Sequence, residues 1–150
     1  MTKADGLNVK DGTITVACDG AGAYEILAEI DLSAAECAGL KLHSDGACFT
    51  SIAYDKTLKK LVLDRINSRK NLAPHYNKKY LSEDFDLKNN VLKLGIFVDG
   101  PIIEIFAQDG LYLASALSYP KFENQAKIEI FSQNGSASAK KLMIYPLMLP

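Results

Sequence analysis

Five charged residues sit in or beside apolar runs of this sequence: Asp64, Arg65, Asp99, Glu104 and Asp109. Glu104 stands out, a carboxylate set among Ile102, Ile103, Ile105 and Phe106. A carboxylate on a covered face needs a partner, because an unpaired buried charge is very costly. Arg65 is the natural one. Its planar fork takes a carboxylate, or two adjacent sugar hydroxyls, through paired hydrogen bonds. Two roles are open to Arg65, Glu104, Asp64 and Asp99: an ion-pair network pinning strands, or a small polar binding pocket. Asp99 and Asp109 each precede Gly, which marks them first as turn formers.

Other chemistry is thinly represented. Cys18, Cys37 and Cys48 lack metal-type spacing and read as buried free thiols. His43 and His75 lie far apart, neither in an HxH or HxxxH pair, so neither a metal nor a cofactor is expected. Ser-His-Asp spacing and phosphate loops do not occur. Trp is absent, which weighs against a broad aromatic platform for sugars. The net charge of −1 argues against nucleic-acid and anionic-membrane partners. No run of 18 apolar residues could cross a bilayer as a helix. The N-terminal MTKADGLNVKDG is polar, without the pattern of a signal peptide, and the compartment stays open.

With 150 residues, 48% of them apolar, the chain is expected to form one domain over residues 1–150 around a sizeable core. Period-two alternation dominates it. Ile14, Val16 and Cys18 share one strand face. Tyr24, Ile26, Ala28 and Ile30 share the next, and Leu40 with Leu42 a third. Further strands are expected at Cys48–Tyr54, Leu61–Leu63, Leu92–Val98, Ile103–Ile105, Leu111–Leu117, Lys127–Phe131 and Lys140–Leu147. Turn dipeptides fall between them: Asp19-Gly20, Asp45-Gly46, Asp99-Gly100, Asp109-Gly110 and Asn134-Gly135. Asp31–Gly39 is the one helical candidate, with Ser33 and Glu36 forming a capping box. Ser68–Asn90 reads as a long surface loop. Short strands at close intervals indicate an antiparallel β-sandwich.

Two segments carry a family likeness. Ile96, Phe97, Val98 and Asp99, then Ile103, Glu104, Ile105, Phe106, Asp109 and Gly110, resemble the signature hairpin I-F-V-D-x-S-S-I-E-I-F-x-N-D-G. That hairpin belongs to the C-terminal β-sandwich of glycoside hydrolase family 32 β-fructosidases: invertases, levanases and inulinases. Tyr54, Asp55, Leu61, Leu63, Asp64, Arg65 and Ser68 are similar to a second family segment, Y-D-x-x-x-x-x-L-x-L-D-R-x-x-S. There are departures: Pro101 and Ile102 replace the usual serines, and Leu117 stands where an arginine is frequent.

The resemblance implies an all-β jelly-roll sandwich, concanavalin-like. It implies the non-catalytic accessory domain of a larger enzyme that hydrolyses sucrose or fructans in a separate propeller. The catalytic motifs N-D-P-N and R-D-P are absent from this chain, and Glu36-Cys37 matches the third, an E-C pair, only as a dipeptide. No catalytic residue is therefore expected. The implied partner is the propeller, and a docked domain should keep an apolar patch on one sheet face. The alternative is a fructan-binding module, with levan or fructose held by Arg65, Glu104, Asp64 and Asp99.

Overall fold

Alternating apolar residues build ten strands in the described part of the computed structural model, residues 1–18, 22–68, 78–119 and 127–147. They are β1 (Thr2–Lys3), β2 (Leu7–Cys18), β3 (Ala23–Ser44), β4 (Thr50–Asp55) and β5 (Lys60–Asp64). Then come β6 (Lys79–Leu81), β7 (Val91–Asp99), β8 (Ile102–Ala107), β9 (Tyr112–Leu117) and β10 (Lys127–Pro146). All pair antiparallel.

Two long strands organise the rest. β3 has 22 residues and β10 has 20, and they run along one another. The other edge of β3 changes partner along its length. Ala23–Asp31 pairs with β7, and Cys37–Leu42 pairs with β4. The sheet therefore divides into two arms, β7–β8–β9 and β4–β5–β6, which fold over one another as a β-sandwich. Ile26, Ile30, Ile96, Ile103 and Ile105 from one side meet Leu40, Leu42, Ile52 and Leu61 from the other. Burial of that apolar surface is the main force holding the arms together.

Three sequence expectations change. Asp31–Gly39 is strand, not helix. Strand β10 runs alongside it, and Ala35 and Ala38 face the core, so tertiary pairing overrides a short local capping signal. Asn134-Gly135 is a bulge inside β10 rather than a turn between two strands, marked by a register shift between Ser132 and Ser136. Gly135 has φ of +129°, and a Cβ there would lie 1.9 Å from the Ala34 carbonyl oxygen. Glycine is what lets β10 bend so close to β3. The Ser68–Asn90 loop carries edge strand β6 and an anchor, Phe85. The turns at Asp45-Gly46, Asp99-Gly100 and Asp109-Gly110 form with positive φ at Gly. The Asp19-Gly20 turn lies outside the described residues.

Candidate functional site

Register places the charged residues. In the β7–β8–β9 arm, Phe97 pairs with Glu104 and Glu104 with Ser115. Gly95, Phe106 and Leu113 form the next row, and Asp99, Ile102 and Leu117 the other. These nine positions share one face, because directly paired residues point to the same side. Ile103 and Ile105 take the opposite face, into the core. Glu104 is thus exposed, which corrects the covered position inferred from its apolar neighbours. Alternation gave the correct side, and no described element lies over it.

Asp64 sits on the outer face of the other arm, in register with Ser51 and Lys79. Its carboxylate accepts from the Ile66 N–H at 2.9 Å and lies 4.0 Å from the Lys79 amine. Asp64 and Glu104 therefore occupy opposite outer faces of the sandwich. Arg65 does not meet Glu104. Its Nη1 donates to the Leu117 carbonyl at 3.0 Å, tying the end of β5 to the end of β9. Leu117 pairs with Ile102, and Ile102 with Asp99. The structure thus gathers Arg65 and Asp99 at one end of the sandwich. Asp109 lies at the other end of β8, 3.5 Å from the Lys93 amine, which also contacts Glu29 at 4.0 Å. Glu29, Lys93 and Asp109 rim a depression of about 380 Å³ floored by Leu27, Gly95 and Phe106.

Sequence reading missed a buried polar cluster beside Arg65. Ser118 Oγ is 3.0 Å from His43 Nδ1 and 2.6 Å from Thr50 Oγ1, and all three residues are buried. His43 Nε2 has no aligned partner among the described residues. Burial pushes the His43 pKa down, against a smaller opposing effect of the Ser118 and Gly100 backbone. Nearby, Ser44 Oγ donates to the Glu129 carboxylate. Alternation alone could have placed Thr50 inward, since it precedes Ile52 and Tyr54 by period two.

Phe85 was missed as well. It closes the opposite end of the core, stacked on Tyr112 at 4.0 Å between ring centroids and edge-on to Tyr54 at 5.1 Å. Tyr54 Oη donates to the Phe85 carbonyl. Cys37 and Cys48 are free thiols, half-buried rather than buried. Burial, then Asp55, pushes the Cys37 pKa up to about 11. Glu36 is exposed, and among the described residues its carboxylate accepts only from the Thr57 hydroxyl, at 3.5 Å. His75 lies outside the described residues, as does the Cys18 side chain. The described residues hold no cluster of His, Cys, Asp and Glu suited to a metal.

A sandwich of two arms hung on paired long strands is a fold shared with enzymes acting on fructose-containing sugars. Exo-inulinase from Aspergillus awamori superposes with a TM-score of 0.82 at 18% identity, covering 99% of this chain and 29% of that one. Fructan 1-exohydrolase IIa from Cichorium intybus gives 0.76 at 15%, covering 97% and 35%. At such identities the likeness shows the fold alone. In sequence, levanase from Bacillus subtilis (strain 168) is 32% identical over 128 residues, which is 83% of this chain and 19% of the levanase. The model of the glycosyl hydrolases family 32 C-terminal region matches residues 2–146. The chain belongs to that family, as its C-terminal β-sandwich domain.

Proposed function

We propose that this chain is the non-catalytic C-terminal domain of a β-fructosidase, in which a separate propeller hydrolyses sucrose or fructans. Its role is structural: it covers a flank of the propeller and stabilises the enzyme. The observation that carries this reading is the dispersal of the carboxylates. Retaining glycoside hydrolysis sets two carboxyl groups roughly 5 Å apart, one as acid and one as nucleophile. Here Asp64 and Glu104 lie on opposite outer faces, and Asp99 and Asp109 at opposite ends of β8. Glu29 and Asp109 approach one another through Lys93, whose cation serves both. Glu36 stands exposed on β3.

The test is direct. Purified chain incubated with sucrose, inulin or levan should release no fructose above the blank. Turnover that survives purification and disappears in Glu36→Gln would overturn the proposal. Calorimetric titration with fructose and levan separates the structural role from fructan binding. Measurable binding, lost in both Arg65→Ala and Glu104→Gln at unchanged melting temperature, would make the chain a binding module instead.

A further inference from the structure

The outer face of β7–β8–β9 is unusual for a surface exposed to water. Phe97 is 39% exposed, Ile102 46%, Phe106 38%, Leu113 59% and Leu117 39%. All five belong to the nine-position grid set by the register of the three strands. The grid measures roughly 10 Å across the strands and 14 Å along them, from strand spacing and rise. Phe97 and Phe106 hold each other edge-to-face at 6.0 Å, so these rings are ordered against one another rather than splayed into solvent. On the opposite face the inward residues of β7 and β8 are buried in the core, and Tyr112, Ala114 and Ala116 of β9 pack partly buried against it. A three-stranded arm apolar on both sides is built to be covered twice.

Glu104 occupies the centre of that grid. Phe97 and Ser115 flank it across the sheet, and Ile102 and Phe106 flank it along its own strand. No hydrogen bond or ion pair engages it among the described residues. A lone carboxylate ringed by apolar side chains selects its own cover. An apolar partner surface with no counter-charge would strand the carboxylate in a dry contact, at heavy cost. A surface carrying one guanidinium or ammonium opposite it would satisfy it and fix the docking register.

We infer that this face is where the catalytic part of the parent enzyme packs, with a cationic side chain of that part set against Glu104. The inference rests on the structural role proposed above. The occupant follows from the relatives. This chain spans 19% of the levanase and 29% of the exo-inulinase, so most of each relative's polypeptide lies beyond the part this chain matches. A second copy of this chain fits the face poorly. A two-fold contact centred on it would bring two Glu104 carboxylates together, and the described face offers no cation between them.

Carboxylate footprinting tests the inference. Carbodiimide with glycine amide is applied to this chain alone and to the full-length enzyme, and labelling is read by mass spectrometry. Glu104 should label at least ten times more slowly in the full-length enzyme, while Glu36, exposed on β3, labels equally in both. Equal labelling of Glu104 in both would overturn the inference. Protection of Glu104 in this chain alone, growing with its concentration, would assign the face to a second copy and also overturn it. Two substitutions in the full-length enzyme give an independent reading. Glu104→Lys should shorten the half-life of sucrose-hydrolysing activity at elevated temperature about tenfold, and Leu81→Lys, at an exposed position on β6 of the other arm, should leave it unchanged. The reverse pattern would show that this domain stabilises the enzyme through its other face. The structural role would then stand while this inference fell. If activity and its half-life were unaltered by deleting the whole domain, the structural role itself would fall.

Discussion

Replacing Phe85 with alanine removes the ring that closes one end of the sandwich. Phe85 lies on neither arm. It arrives from the segment after β6 and inserts between Tyr112 on β9 and Tyr54 on β4. Truncating a fully buried phenylalanine costs about 3–5 kcal/mol. This ring is half-buried, so about half of that applies, and about 1 kcal/mol more comes from the two aromatic pair geometries. The expected loss is therefore roughly 2.5–3.5 kcal/mol. For a chain of this size that lowers the melting temperature by roughly 5–10 °C. Phe85→Leu keeps most of the volume and loses only ring geometry, so it should cost about 1 kcal/mol. Urea unfolding followed by far-ultraviolet circular dichroism measures both, with an unchanged slope showing that the unfolded state is comparable. A double-mutant cycle of Phe85→Leu with Tyr112→Leu should return about 1 kcal/mol of coupling. Refutation would be a Phe85→Ala variant within about 0.5 kcal/mol of wild type, the ordinary range of a surface substitution. The arms would then be held by their aliphatic core alone.

Three further outcomes follow from the buried and strained positions. His43 is held neutral by burial, its pKa lowered in the fold. The unfolded chain then binds its proton more readily than the folded one, so the His43 contribution is fully present above about pH 6.5 and declines as pH falls below it. Urea unfolding at pH 7.5, 6.5 and 5.5 should show falling stability, and the His43 ring proton should titrate below the free imidazole in nuclear magnetic resonance; titration at or above the free value would refute this. Gly135→Ala forces a Cβ into the Ala34 carbonyl at a φ of +129° and should cost roughly 2–4 kcal/mol by thermal melting. Cys37, its thiol pKa at about 11, carries about one thiolate per thousand at pH 8, so a disulfide reagent should label it far more slowly than a free thiol at that pH.

Most of the strand map was legible because burial on one face imposes period two, and the apolar runs around Ile26, Ile52, Leu94 and Ile105 obey it. What was illegible is continuity. Nothing local distinguishes two short strands joined by Asn134-Gly135 from one strand that bulges there. The difference lies in Ala34 across the sheet, whose carbonyl leaves room only for glycine. Asp31–Gly39 fails for a related reason. Its capping box is worth about 1 kcal/mol locally, while strand β10 offers it a ladder of paired residues from Asp31 to Gly39. Phe85 was hidden because a lone aromatic in a charged loop has no periodic context. Its value comes from two tyrosines 31 and 27 positions away in sequence.

The charged residues teach a different lesson. Alternation put Glu104 opposite Ile103 and Ile105, and it lies there. The step from that to a buried carboxylate assumed that an apolar surround means a cover within the same chain. In this chain Arg65 is engaged elsewhere, at Leu117, and Glu104 faces outward among Phe97, Ile102 and Phe106. On the inference drawn above, the pattern that reads as burial is the pattern of a surface that becomes buried on assembly. Apolar residues on both faces of β8 answer to two covers, one supplied by the β4–β5–β6 arm and one from outside the chain. A carboxylate at the centre of the second face then has a use that an isoleucine would lack. It leaves docking weak against a purely apolar surface and strong against one that brings a cation to that single position. The same reasoning accounts for the rarity of charge on the rest of the grid, where only the corner Asp99 joins it. A second charge inside the ring would demand a second counter-ion, and each added pair raises the desolvation cost of closing the contact.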